Sequence, residues 1–257
     1  SYESLFPKHA EALHETCDIS DFIWSYGYML MATGDVKWAD KMESAVYNAA
    51  LGAINKDFKA LQYFSSPNQL LATEKSSMAP YGEEGLSRQA YRPGFDVECC
   101  SGNVHRMFPN YISRMWMNGD EHEIVAALYG PSEYRTEING TKVCITEDTS
   151  YPFSGKITFR FALDGAPVRI PFTMRIPSWV ENAKLTVNAE QPKEYHAGGF
   201  STIERRFKDG DVVELDIDMK PRAEKRTDAG INVYMGPLLY SVDIDENDEI
   251  IKDQFKT

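Results

Sequence analysis

The polar and apolar positions of the chain change period near residue 120. From Asp18 to Thr33, Phe22, Ile23, Tyr26, Met29, Leu30 and Thr33 recur at three- and four-residue spacing, which predicts an amphipathic helix. Gly34 is placed to stop that helix and Asp35 to cap the next. A second helix is expected from Val36 to about Ile54, with Trp38, Met42, Ala45, Val46, Ala49 and Ala53 on one face and Glu43 on or beside it. A third is expected over 102–117, burying Val104, Met107, Phe108, Tyr111, Ile112 and Met115, with Pro109 as a kink. Beyond residue 120 apolar residues alternate with polar ones, as in Ile157, Phe159 and Phe161 or Val213, Leu215, Ile217 and Met219. Further strands are predicted at 123–130, 134–138, 142–147, 171–176, 184–188, 201–206 and 231–241, with turns at Asn139-Gly140 and Asp209-Gly210. The expected architecture is α+β and multidomain: a helical part over 1–120 and an antiparallel β-sandwich over 121–257.

Two stretches fall outside this pattern. Residues 1–17 show no clean period, and residues 57–98 are rich in turn signals such as SSPNQ, APYGEEG and RPGFD. A connection of that length inside a compact domain is usually functional. It leads directly into two adjacent cysteines, Cys99 and Cys100. A buried or half-buried carboxylate such as Glu43 needs a partner, either an arginine or a polar cavity.

Composition narrows the function classes. With 257 residues and 42% apolar content the chain is long enough for a substantial core. A formal net charge of −12 repels phosphate backbones and anionic membrane surfaces, which disfavours nucleic acid and lipid partners and suits a neutral substrate. No apolar run approaches the roughly 18 residues of a membrane span. The chain begins inside what reads as a structured segment, so a longer parent protein is expected and nothing follows about compartment. Four cysteines are too few for a disulfide scaffold of this size. Cys144, in the strand-like KVCIT, reads as a core residue.

The remaining cysteines, Cys17, Cys99 and Cys100, together with Glu15, make a soft ligand set of three thiols and one carboxylate, suited to zinc. The spacing alone favours buried thiols or a disulfide over a metal site, because it lacks the paired CxxC of ordinary zinc sites.

Seven stretches, in order, resemble the β-L-arabinofuranosidases of glycoside hydrolase family 127, long described as DUF1680. They are HETCD (14–18), GDVKWADKMESAVYNA (34–49), CCSGNVHR (99–106), SYPFSG (150–155), MRIPSW (174–179), GGFSTIERRFKDGDVV (198–213) and MGPLLYS (235–241). The resemblance implies an (α/α)6 barrel followed by β-sandwich domains, of which this chain holds the later, partial barrel. It implies zinc on Glu15, Cys17, Cys99 and Cys100, with Cys99 as the nucleophile of a two-step retaining hydrolysis. It places the acid/base at Glu3, with Glu11 as the alternative because the gap to Glu15 is short. It assigns sugar contacts to Glu43 and to an aromatic near Tyr63 or Phe64, and leaves His105 and Arg106 as outer groups around the metal or as plain helix surface. His14 departs from the small or apolar residue common in relatives. The expected partner is a carbohydrate of plant type, besides the missing half of the barrel, without which this chain is expected to be inactive. The alternative is a non-catalytic, zinc-stabilised carbohydrate-binding or structural protein; a third reading makes the cysteines a redox pair.

Overall fold

A computed structural model describes residues 14–66, 88–94, 98–196, 198–225, 230–245 and 247. A two-residue strand, β1 (His14–Glu15), leads into helix α1 (Thr16–Thr33). Gly34 ends α1 in the left-handed conformation, φ 62°, and donates its N–H to the Leu30 carbonyl at 2.9 Å. The Asp35 carboxylate accepts from the Lys37 N–H at 3.1 Å and caps α2 (Val36–Ser44).

The second helix does not run on as a plain α-helix. It passes into a π-helical segment, Ala45–Ala50. Its wider turn carries the buried stripe from Val46 to Ala50 and on to Ala53, leaving Ala49 exposed. A strand β2 (Phe64–Ser65) pairs with β1. Helix α3 (Cys99–Ile112) starts three residues before the expected position and stops earlier, with Pro109 inside it. The residues expected as its last turn instead form β3 (Trp116–Asn118), and Ile112 is exposed.

Helix α1 buries a narrow stripe of Thr16, Ile19, Ser20, Ile23, Gly27 and Leu30 against the other two helices. Phe22 and Met29, expected in that stripe, are exposed along with Trp24, Tyr28 and Met31. The close approach at Gly27 has a direct cause: the Arg114 side chain lies where a Cβ would sit.

The strands that follow are β4 (Ile124–Ala126), β5 (Ser132–Ile138), β6 (Thr141–Thr149), β7 (Lys156–Asp164), β8 (Val168–Ile176), β9 (Asn182–Val187), β10 (Lys193–His196), β11 (Gly199–Phe207), β12 (Val212–Ile217), β13 (Pro221–Lys225), β14 (Ile231–Met235) and β15 (Leu238–Tyr240). They form a six-stranded sheet in the order β10-β9-β12-β7-β6-β5, a four-stranded sheet β11-β8-β4-β3 and a three-stranded sheet β13-β14-β15. Every pairing among the described residues is antiparallel except β4 with β8.

The two larger sheets share one core. Phe159 and Phe161 of β7 meet Phe172 of β8 and Phe207 of β11, with the Phe161 and Phe207 rings stacked at 4.1 Å. Asn139 and Gly140, at φ 51° and 78°, make the tight β5–β6 turn. Alternation along β6 turns Val143 and Ile145 inward and Cys144 outward, where its thiol contacts Glu133 at 2.9 Å, so Cys144 is not the core residue expected. The stretch expected as one strand at 231–241 is a hairpin broken at Gly236, φ 58°. No helix among the described residues is long and apolar enough to cross a membrane.

Candidate metal centre

Glu15 and Cys17 are held by a backbone clasp. The Thr16 N–H donates to the Tyr63 carbonyl at 3.0 Å and its hydroxyl to the Gln62 carbonyl at 2.6 Å, while Glu15 pairs with Phe64 across β1–β2. Thr16 is fully buried, so this short β-pair sets both the direction of Glu15 and the first turn of α1. Cys99 and Cys100 occupy the first turn of α3. Two helix N-termini therefore converge on the three sulfurs, and their dipoles favour negative charge there.

The four donor atoms of Glu15, Cys17, Cys99 and Cys100 all lie within 4.8 Å of one another. Cys17 Sγ is 3.3 Å from Cys100 Sγ, and Glu15 Oε1 is 3.5 Å from Cys99 Sγ and 3.7 Å from Cys100 Sγ. A tetrahedral zinc with sulfur at about 2.3 Å spaces its ligands at roughly 3.7 Å, so these separations need only small adjustments. All four cysteines of the chain are free thiols, not the disulfide that the spacing left open. Burial pushes the Cys17 thiol up to about 12, and burial together with Cys17 raises Cys100 as well. A divalent cation would replace those protons.

Tyr63 lies at this centre. Its hydroxyl is 3.1 Å from Cys99 Sγ, its carbonyl accepts from Thr16, and Cys100 Sγ is 3.9 Å from the same carbonyl. The Arg88 guanidinium sits over its ring at 5.0 Å. Phe64 packs beside it, almost fully buried. Cys17 and Cys100 are buried, whereas Cys99 is partly open. His105 is exposed, and Arg106 pairs with Asp21 at 2.8 Å. Glu3 and Glu11 lie outside the described residues.

Glu43 takes the first of its two alternatives. Its carboxylate meets Arg175 of β8 and accepts the Tyr151 hydroxyl at 2.9 Å, with no exposed surface. In this structure the carboxylate for which a sugar contact was expected is fully enclosed and engaged on both oxygens. Arg175 also donates to Asp40 at 2.6 Å and to the Ala127 carbonyl at 2.7 Å. Tyr47 and Tyr111 hydroxyls meet at 2.9 Å, and both donate to the Tyr129 carbonyl at 3.1 Å. Burial pushes Glu43 up to about 7 against the pull of Arg175, and Glu147 up to about 8 against its bonds from Gly130 and Ser132. This enclosed polar network bolts α2 and the π segment to the four-stranded sheet. Sequence reasoning allowed an arginine partner for Glu43 but did not identify Arg175 or the tyrosines around it; the one signal was an arginine within the apolar run of β8.

Residues 1–113 match the β-L-arabinofuranosidase GH127 catalytic domain, and residues 123–219 match the GH127 middle domain. A search of curated proteins finds no match. Among solved structures, a glycoside hydrolase is 26% identical with a TM-score of 0.74 over 89% of this chain and 37% of its own. A GH127 β-L-arabinofuranosidase from Geobacillus stearothermophilus T6 is 24% identical, TM-score 0.71, over 89% of this chain and 36% of its own. A further GH127 β-arabinofuranosidase is 22% identical, TM-score 0.72, over 91% and 38%. The chain thus spans well under half the length of the structures it matches. With a catalytic-domain match, a middle-domain match and the Glu-Cys cluster on the same chain, this protein belongs to the GH127 β-L-arabinofuranosidase family.

Proposed function

We propose that this chain carries the centre of a zinc-dependent, retaining glycoside hydrolase of β-L-arabinofuranosidase type, acting on plant-type glycans. The observation that carries the reading is the convergence of Glu15, Cys17, Cys99 and Cys100. Three thiols and one carboxylate at near-tetrahedral spacing fit zinc. When bound, zinc supplies a charge that keeps the thiols deprotonated at neutral pH.

Cys99 is the nucleophile in this reading, because it is the one sulfur of the cluster that is partly open while Cys17 and Cys100 are buried. Its thiolate attacks the anomeric carbon as the glycosidic C–O bond breaks. Glu3, or Glu11 in its place, gives its proton to the departing oxygen. The same carboxylate then removes a proton from water, which displaces the sulfur from the sugar. Two inversions leave the configuration retained. The Tyr63 hydroxyl, 3.1 Å from Cys99 Sγ, steadies that sulfur.

Helices α1 to α3 fit part of an (α/α)6 barrel within a domain over 1–120, ahead of a sheet domain over 121–257. The exposed Phe22, Trp24, Tyr28 and Met31 of α1 support this, because neighbouring barrel helices would cover them. For the same reason the 257-residue chain alone is expected to be inactive.

The test is hydrolysis of an aryl β-L-arabinofuranoside by the full-length protein and by its Cys99→Ala variant, with intact-mass detection of a sugar adduct on Cys99. Activity that disappears in the variant supports the reading. Unchanged activity in Cys99→Ala removes Cys99 as nucleophile and leaves the cluster as a tie between α1 and α3.

A further inference from the structure

The later part of the long connection returns to the segment that carries Tyr63. Leu61 and Arg92 exchange N–H to carbonyl bonds at 3.0 Å each, and the Phe64 N–H donates to the Arg88 carbonyl at 2.9 Å. The Gln62 side-chain amide donates to the Gln89 carbonyl at 2.7 Å, and the Tyr91 hydroxyl to the Gly52 carbonyl at 3.0 Å. Residues 61–64 are therefore held by two segments, the start of α1 through Thr16 and the arm 88–92.

That pairing sets where Arg88 stands. Its carbonyl is fixed by the residue after Tyr63, and its guanidinium lies 5.0 Å from the centre of the Tyr63 ring. A guanidinium against an aromatic face is attracted by the ring quadrupole. Rotating the Tyr63 side chain to another staggered position would carry the ring away from that cation, so the contact opposes the rotation. The hydroxyl at the far end of the ring is 3.1 Å from Cys99 Sγ.

We propose that Arg88 is a positioning residue of this centre, holding the Tyr63 ring so that its hydroxyl meets the sulfur of Cys99. The proposal rests on the reading of Cys99 as nucleophile given above. In that reading the sulfur must keep one orientation while it attacks the anomeric carbon and while it leaves, and a fixed hydroxyl restrains it in both steps. Neither Arg88 nor Tyr63 belongs to the four-ligand set, so the effect falls on turnover and not on metal retention. Arg88 acts through Tyr63, so its effect exists only while the hydroxyl is present.

The test is a double-mutant cycle in the full-length protein, with Arg88→Gln, Tyr63→Phe and the double variant compared for kcat, KM and zinc content. Arg88→Gln should lower kcat on an aryl β-L-arabinofuranoside by about 2- to 10-fold, the range of one hydrogen bond, and leave KM and zinc content at wild-type values. In the Tyr63→Phe background the same change should have no further effect. Arg88→Met takes the place of Arg88→Gln if the latter does not fold. Equal losses in both backgrounds, an effect confined to KM or to zinc content, or wild-type kcat in Arg88→Gln would each overturn the proposal while leaving Cys99 as nucleophile. Wild-type protein without hydrolysis, or activity that survives Cys99→Ala, would instead overturn the nucleophile reading, and the proposal with it.

Discussion

Glu43 and Arg175 meet across 132 residues of sequence, and neither side chain exposes any surface. Glu43 belongs to α2 and Arg175 to β8, so the pair joins the helical layer to the four-stranded sheet. Removing two charges from water is costly, and this pair offsets that cost with bonds to Asp40, Ala127 and Tyr151. Breaking it leaves an uncompensated buried charge. Arg175→Met is expected to cost about 3–5 kcal/mol by denaturant unfolding, and adding Glu43→Leu should recover much of that loss.

Glu147 sets a pH dependence on the same side of the molecule. Its carboxylate accepts the Gly130 N–H at 3.0 Å and the Ser132 hydroxyl at 2.9 Å, but burial outweighs both and pushes it up to about 8 from an ordinary 4.5. Between those two values the folded chain holds a proton that the unfolded chain has released, so stability falls as pH rises. Above about 8 both states are ionised and this contribution is flat. Glu43, pushed up to about 7, adds to the fall in the lower part of the window. Urea midpoints at pH 5 and pH 8 should show the decline in the wild type and a smaller one in Glu147→Gln.

Gly155 is required by contact, not by conformation. A Cβ there would stand 1.9 Å from the Ile217 carbonyl oxygen, which belongs to the backbone, and Ile217 N–H donates to the Gly155 carbonyl at 2.9 Å. Neither side can yield without moving β12. Gly155→Ala should lose about 1–3 kcal/mol, read as a lowered unfolding midpoint.

Tyr63→Phe removes the hydroxyl 3.1 Å from Cys99 and leaves the ring and the carbonyl clasp in place. Zinc content is expected to stay at the wild-type level. A net hydrogen bond of about 0.5–1.5 kcal/mol corresponds to at most about a tenfold loss of glycoside hydrolysis by the full-length protein. A loss of zinc instead would show that the hydroxyl helps to hold the site and not the nucleophile.

Much of the fold is legible in the pattern because the determinants are local. The Gly34 stop, the Asp35 cap and the Asn139-Gly140 turn each depend on a few neighbouring residues. The strands β3, β10 and β13 each pair with the strand next to them in the chain. They went unread because three to five residues, as in Trp116–Asn118, Lys193–His196 and Pro221–Lys225, are too short to show an alternating period. The periodic reading of α1 chose Phe22 and Met29 because it has no way to know which of two apolar faces the structure covers. Within the candidate site, the ligand set stood out because cysteine is rare and Glu15 and Cys17 share one short segment. The placement of Tyr63 and the burial of Glu43 depend on contacts with Arg88 and Arg175, which no spacing rule encodes.

The central claim is that Glu15, Cys17, Cys99 and Cys100 hold one zinc. Elemental mass spectrometry of protein purified without chelator, compared with Cys100→Ser, tests it most directly. The account predicts near-stoichiometric zinc that falls sharply in the variant. Zinc-free wild-type protein with two fewer titratable thiols than its four cysteines would mean a disulfide in place of the metal and would contradict it.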